Sequence, residues 1–254
     1  MKLVVIGSGT AVPNPKRSSP GFWLETAAGT LLLDFGPSVM YRMAQENLDW
    51  PNLDAVWISH FHLDHVGGFA PFLFGIRNAP ETRNRKNPFK IFGPKGLQKL
   101  IGNFNAANNY KLFQQPFPLE ITEIEPLEQF EILPSVEAVA LSTPHTDESL
   151  AIHIREGDKT FVYTSDTGFT ETIAAFARNV DLLVIESSFV KDKPVQKHLE
   201  LAEAIHLIRK AAPKKAVLTH LYSEWDKVDF GKEVTKFSAK CEVIQAQDGI
   251  RLEL

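Results

Sequence analysis

Three histidines and an aspartate fall within six consecutive positions, His60, His62, Asp64 and His65, in the stretch SHFHLDHVGG that follows the apolar run DAVWI. A histidine two residues from another, on an extended or tightly turned segment, can aim both imidazoles at one point. The carboxylate and histidine that come next can serve a neighbouring point. Nitrogen and carboxylate donors suit zinc, with manganese or iron(II) as alternatives, because availability as well as affinity decides occupancy. An isolated histidine is ordinarily a solvated loop residue, but four ligating groups at this spacing after a strand favour a metal site. Three more stand at the ends of apolar runs: His145 after VEAVALSTP, Asp166 closing TFVYTSD and His220 closing KAVLTH. In open sheets, functional groups collect at such carboxyl ends. The pattern predicts two divalent metal ions, one on His60, His62 and His145, the other on Asp64, His65 and His220. Asp166 would lie between them, since a carboxylate can offer an oxygen to each ion. The chemistry is hydrolysis: coordination lowers the pKa of water from 15.7 to about 7, so hydroxide bridging the metals is available near neutrality. Asp64 could also receive the nucleophile's proton.

Those residues need strands to carry them. Apolar runs read as strands at KLVVI, GFWLE, TLLLDF, DAVWIS, VEAVALST, SLAIHI, TFVYTSD, DLLVIES, KAVLTH and CEVIQA. Helical spacing with start and stop signals appears over 37–46, 67–77, 96–104, 171–177, 199–211 and 226–239. This order favours an α/β fold with two mixed sheets facing each other and helices outside. The polar, basic stretch RNAPETRNRKNPFK, residues 77–90, is expected as a surface loop beside the first ligand segment. No repeat, low-complexity tract or long linker divides the chain, so one domain over 1–254 is expected.

Composition bounds the partners. With 254 residues, 44% hydrophobic and 23% charged, the chain can bury a substantial core. A net charge of -4 provides no global cationic field, so nucleic acid would require a local basic patch. The opening MKLVVIGSGT is too short an apolar run for a signal or membrane span, so a cytoplasmic location without a membrane partner is expected. Cys241 is the single cysteine and cannot form an intramolecular disulfide or a thiolate zinc site. His153, alternating with Ile152 and Ile154, and His206, on an amphipathic helix, lack ligating neighbours and are expected to be structural.

HFHLDHVGG, TPH, YTSDTG and LTH, in this order across nearly the whole chain, resemble the metallo-β-lactamase fold superfamily. The resemblance implies a four-layer αββα sandwich with the metals at one edge of the sheets, and the same ligand set. It also makes Asp34 in LLLDFG the carboxylate that orients a ligand histidine. Asp64 with His65, and no cysteine ligand, separate the site from a true β-lactamase. The GSGTAV segment is no dinucleotide loop, because Val12 replaces the third glycine and Pro13 and Pro15 follow where a helix should propagate. It is similar instead to the amino-terminal loop of the ribonuclease Z branch, with Pro13, Lys16 and Arg17. Lys16 and Arg17 would there bind phosphate or be plain solvated charges.

IESSFV followed by KHLELAEAIHLI looks like that branch's acidic strand end and histidine. The match implies His198 as general acid or phosphate contact and Glu186 as its partner, with Leu199 departing from the branch's Ser or Thr. Only the short hairpin LAIHIREGDKTFVYTS joins His145 to Asp166, where bacterial tRNA-processing members carry a long arm that grips tRNA. The resemblance therefore implies a dinuclear phosphodiesterase or ribonuclease Z-like endoribonuclease, acting on a small phosphodiester or RNA, with a homodimer plausible from the family. A carboxyl ester, lactone or thioester hydrolase is the alternative, since a Lewis acid polarises carbonyl and phosphoryl oxygens alike. A non-catalytic metal-stabilised module is the third reading, disfavoured because degenerate members lose ligands.

Overall fold

The run TLLL shows how the chain builds its layers. Leu31, Leu32 and Leu33 are all fully buried, Leu31 and Leu33 in a core between two sheets and Leu32 in a second core beneath helices. A strand covered on both faces reads as continuous apolar sequence, and burying each such side chain contributes about 1.5–3 kcal/mol. Leu182 and Val184 face the same inter-sheet core while Leu183 and Ile185 face a third core on the far side.

The computed structural model describes all residues, Met1–Leu254. The first sheet contains β1 (Lys2–Gly7), β2 (Gly21–Thr26), β3 (Gly29–Leu33), β4 (Ala55–Trp57), β5 (Phe89–Pro94) and β6 (Leu119–Ile124) in sequential order. The second contains β7 (Gln129–Leu133), β8 (Val136–Ser142), β9 (Leu150–Glu156), β10 (Lys159–Tyr163), β11 (Leu182–Glu186), β12 (Lys215–Thr219) and β13 (Glu242–Gln245), also sequential. The last strand, β14 (Arg251–Glu253), returns to pair antiparallel with β1. Each sheet is mixed: β3 through β6 run parallel, as do β10 through β13, and the other neighbours are antiparallel.

Helices α1 (Val39–Gln45), α2 (Leu63–Val66), α3 (Phe69–Ile76) and α4 (Leu97–Ala107) belong to the first half. Helices α5 (Glu171–Phe176), α6 (Leu201–Ala211) and α7 (Phe230–Thr235) belong to the second. Val39, Met43, Phe69, Leu73 and Leu97 pack on the outer face of the first sheet, and Ile173, Ile205 and Ile208 on that of the second. The result is the expected αββα sandwich. No helix is long and apolar enough to cross a membrane.

One expected helix starts late and another is divided. The 67–77 element begins only at Phe69, after α2 has ended at Val66. Gly67 and Gly68 lie between, and a Cβ on Gly68 would run into the Gly36 carbonyl. The glycine there lets two backbone segments touch, and the Gly68 N–H donates to the Phe35 carbonyl at 2.9 Å. The 226–239 element is a 3-10 turn over Ser223–Lys227 followed by α7, restarted by Asp229, whose carboxylate accepts from the Lys232 N–H at 3.0 Å. Strands β5, β6, β7 and β14 were not expected from the apolar pattern.

Candidate metal centre

The side chains expected as ligands follow the carboxyl ends of β4, β8, β10 and β12 and meet over one edge of the two sheets. After β4 come Ser59 and His60, both fully buried. His62 holds an extended conformation at the start of α2, whose single turn carries Asp64 and His65 inward while Leu63 stays exposed. From the second sheet, His145 follows β8, Asp166 follows β10 and His220 follows β12. Asp34, Ser165 and His220 adopt left-handed backbone conformations, with φ of 61°, 54° and 57°. Such non-glycine conformations cost about 1–3 kcal/mol each and persist only where the surroundings hold them.

The structure brings together the seven residues expected as ligands. Ligand atoms of His60, His62, His145 and Asp166 lie within 4.8 Å of one another, and so do those of Asp64, His65 and His220. Asp166 stands between the groups. Its Oδ2 is 3.6 Å from His145 Nε2, 3.9 Å from His60 Nε2 and 3.3 Å from His220 Nε2, and its Oδ1 is 3.3 Å from His65 Nε2. Asp64 Oδ2 lies 3.4 Å from His220 Nε2 and 3.7 Å from His65 Nε2.

These residues fit metal ions on a criterion internal to the fold. His60 Nε2, His65 Nε2 and Asp166 Oδ1 are buried without any hydrogen-bond partner. Buried polar atoms are almost always satisfied, so three orphans gathered around Asp166 fit a cation held there. His62 Nδ1 and His145 Nε2 also face each other at 3.0 Å.

The opposite edges of the rings are fixed by the protein, which leaves the inner nitrogens free to ligate. Asp34 accepts from His65 Nδ1 at 2.6 Å, from the Tyr163 hydroxyl at 2.7 Å and from the Ser59 hydroxyl and N–H at 2.8 Å each. Ser59 Oγ lies 3.0 Å from His60 Nδ1, and the Ser165 hydroxyl donates to that oxygen at 2.6 Å. His145 Nδ1 donates to the Lys197 carbonyl at 2.8 Å, and His220 Nδ1 is 2.9 Å from Ser188 Oγ. Asp34 therefore sits where the resemblance implied. Ser165, Tyr163, Ser188 and the Lys197 carbonyl carried no sequence signal, and only Ser59, inside the ligand motif, stood where a search outward from the histidines would meet it.

Charge follows this geometry. Burial opposes ionisation of Asp166, but His220 and His65 outweigh it and hold the carboxyl well below the usual range. Asp64 shows the same balance, burial being outweighed by the His220 hydrogen bond and by His65, so it remains a carboxylate. Burial and the neighbouring His65 push His60 well down, towards the neutral ligating form.

Beside the centre lies a histidine–carboxylate pair. His198 Nδ1 is 2.8 Å from Glu186 Oε1 and 4.0 Å from Asp166 Oδ2. Glu186 is fully buried at the end of β11 and accepts as well from the N–H groups of Thr167 and Leu199 and from the Ser188 hydroxyl, at 2.8, 3.1 and 2.7 Å. Burial lowers the His198 pKa, but the hydrogen bond and charge of Glu186, with Asp166, outweigh it and raise it above an ordinary imidazole.

Other expected groups lie elsewhere. Arg17 is buried, bonded to Asp226 at 3.1 Å and to the Ala246 carbonyl at 3.1 Å. That corrects its reading as a phosphate-binding or solvated cation: the guanidinium pins the amino-terminal loop to the second half. Lys16 is exposed. In the 77–90 segment, Arg77 donates to the Tyr110 carbonyl at 3.0 Å. Arg85 donates to the Pro51 and Pro88 carbonyls and lies 4.9 Å over the Phe117 ring. Both guanidiniums are thereby engaged in the fold. His153 is half-buried against Phe176, and His206 is exposed beside Glu171 at 3.4 Å.

Known proteins supply the family. The model of the beta-lactamase superfamily domain matches residues 30–221. A Ribonuclease Z of Methanosarcina acetivorans is 22% identical, covering 100% of this chain and 98% of the relative. The probable metallo-hydrolase YhfI of Bacillus subtilis is 26% identical over 87% of each chain. The crystal structure of YhfI superposes with a TM-score of 0.83 at 23% identity, covering 100% of this chain and 98% of that one. The short form of human tRNase Z gives 0.81 at 19% identity, over 100% and 99%. With its fold, its ordered motifs and this match over most of its length, the chain belongs to the beta-lactamase superfamily and is a metal-dependent hydrolase of the metallo-β-lactamase fold.

Proposed function

We propose that this protein hydrolyses phosphodiesters, either small diesters or accessible RNA ends, at a centre of two divalent metal ions, with zinc the best match to its donors. The observation that carries this reading is the His198–Glu186 pair at the rim of the ligand cluster. A proton donor there suits a poor alkoxide leaving group, whereas a thiolate leaving group needs none.

His60, His62 and His145 would hold one ion and Asp64, His65 and His220 the other, with Asp166 shared. Ions so held would supply hydroxide near neutral pH and offset phosphoryl charge. With Nδ1 engaged by Glu186, Nε2 of His198 is the nitrogen left to give its proton to the departing oxygen. In balance, an oxygen from water bonds to phosphorus, the bond from phosphorus to the leaving oxygen breaks, and diester plus water become monoester plus alcohol. His198 regains its proton from the one that water releases.

Substrate size follows from the hairpin. Strands β9 and β10 are joined only by Gly157 and Asp158, so no arm projects between His145 and Asp166. With Arg77 and Arg85 engaged elsewhere, the 77–90 segment keeps only Arg83 and Lys86 as exposed cations for gripping a folded tRNA body. The names of the Ribonuclease Z relatives support RNA as a substrate, and the missing arm supports short or flexible ones.

The test is steady-state hydrolysis of bis(p-nitrophenyl) phosphate by zinc- or manganese-loaded protein, beside a chelated control and Asp166→Ala. Turnover should vanish on chelation and fall at least about 100-fold in the variant. Absence of turnover with two metals bound per chain would overturn the proposal.

A further inference from the structure

Lys193 lies in the irregular strap between Phe189 and Leu201 that carries His198, and its side chain is only 7% exposed. Lysine is almost never buried unless paired, and here every ammonium donor has an acceptor. Nζ is 2.7 Å from both Glu203 carboxylate oxygens and 3.0 Å from the His198 carbonyl. Glu203 in turn belongs to the first turn of α6, where Glu203 Oε2 accepts from the Glu200 N–H at 3.1 Å in a reciprocal capping box. The ammonium therefore joins the strap to the start of a packed helix.

Two parts of the centre hang from that strap. The His198 ring reaches Glu186, and the carbonyl of the preceding residue, Lys197, receives the Nδ1 proton of His145. The strap closes on itself at its ends, where the Phe189 N–H donates to Leu199 and the Leu201 N–H to Phe189, at 3.2 and 2.9 Å. Between those ends Pro194, Val195 and Gln196 are exposed, and nothing helical or extended holds the segment.

We infer that Lys193 is a positioning residue for hydrolysis: by tying the His198 carbonyl to Glu203 it sets the place of the His198 ring. This rests on the reading of His198 as proton donor to a phosphodiester leaving group. Lys193 touches no substrate and acts through the backbone of His198. Small misplacement of a reacting group far exceeds its cost in stability, since an error of about 1 Å can lower a rate about 100-fold.

The experiment compares Lys193→Met, Glu203→Gln and His198→Ala on zinc-loaded full-length protein with metal content measured for each. Two substrates are used, bis(p-nitrophenyl) phosphate, whose leaving group needs no proton, and a dinucleoside monophosphate, whose alkoxide does. Lys193→Met should lower kcat on the dinucleotide about 30-fold with KM within about threefold, and lower kcat on the nitrophenyl ester less than about threefold. Glu203→Gln, which keeps the shape and removes the charge, should show the same selectivity more weakly and covers the case of a misfolded methionine variant. Adding Lys193→Met to His198→Ala should cost nothing further on the dinucleotide. Equal losses on both substrates, or additive losses in the double variant, would overturn the inference while His198→Ala keeps its selectivity. A His198→Ala variant indifferent to the leaving group would instead remove the underlying reading of His198, and the inference with it.

Discussion

Asp34→Asn tests how far the ligand cluster depends on the groups behind it. Asp34 Oδ2 takes three donors, from His65, Tyr163 and the Ser59 hydroxyl, while Oδ1 takes the Ser59 N–H. An amide keeps the volume but has one acceptor. If its oxygen replaces Oδ2, its NH2 group confronts the Ser59 N–H; the flipped amide is worse, confronting three donors. Losing charge assistance on three bonds and leaving one buried N–H unpaired costs about 4 kcal/mol in the metal-free protein. For a chain of this size that is a fall of roughly 10 °C in Tm. The second effect is on the metals. His65 loses the carboxylate that orients its ring and raises its basicity, so affinity at the Asp64, His65 and His220 group should fall about 10- to 100-fold, or about 1.4–2.7 kcal/mol. The His60, His62 and His145 group should weaken less, because His145 rests on the Lys197 carbonyl and His60 reaches Asp34 only through Ser59. Zinc titration calorimetry with a competing chelator, fitted to two sites, separates the two losses, and thermal unfolding of the metal-free protein gives the first. A folded variant in which both groups weaken equally, or neither does, would refute the reasoning.

Arg17→Met breaks the partly buried pair with Asp226, which retains Asn14 as a hydrogen-bond donor at 2.9 Å. Stability should fall by about 2 kcal/mol, seen as a lower urea midpoint, while kcat/KM for bis(p-nitrophenyl) phosphate stays within about twofold; a tenfold loss of kcat/KM would restore Arg17 as a phosphate contact. Asp181→Asn examines a pH-dependent pair at the start of β11. Burial opposes its ionisation, but the Lys214 ammonium at 2.6 Å and Thr160 outweigh it and depress the Asp181 pKa. A depressed folded-state pKa contributes stability that is present above the unfolded value and lost as pH falls through the folded one. The Tm difference between wild type and variant should therefore be constant near neutrality and shrink as pH falls below about 4. A difference that grows on acidification would reverse the sign of the argument.

The ligand motif was legible because its chemistry is dense: His60, His62, Asp64 and His65 crowd one turn, and His145, Asp166 and His220 each close an apolar strand. The strands of both interiors were legible for a related reason, being buried on two faces. Strands β6, β7 and β14 were not, because they form sheet edges that need few apolar residues. LEITEI alternates half-buried and exposed positions and ends in a single fully buried side chain, so its glutamates mask it. Strand β5 is buried but follows the basic loop and closes on Gly93 and Pro94, both ordinarily turn signals. Arg17 misled for a different reason. Its partner Asp226 is remote in sequence, and a pairing made by tertiary closure leaves no local mark. The same holds for Tyr163, whose apolar strand position gave no hint that its hydroxyl meets Asp34.

The division of strands has a consequence for how the protein would assemble. Apart from β14, the first sheet comes wholly from the chain before β7, and the second wholly from the chain after β6. His60, His62, Asp64 and His65 come from one half, His145, Asp166 and His220 from the other, so neither ion could be held by one half alone. Metals would act as clasps across a seam. At free metal 100 times Kd, each would add about 2.7 kcal/mol to the closed state. A nascent chain on the ribosome would display its first four ligands long before translation reached His220, without the means to retain an ion. Loading therefore belongs to the moment when the halves close, and withdrawing the metals should raise amide exchange along that seam before it reaches the helix-covered outer faces.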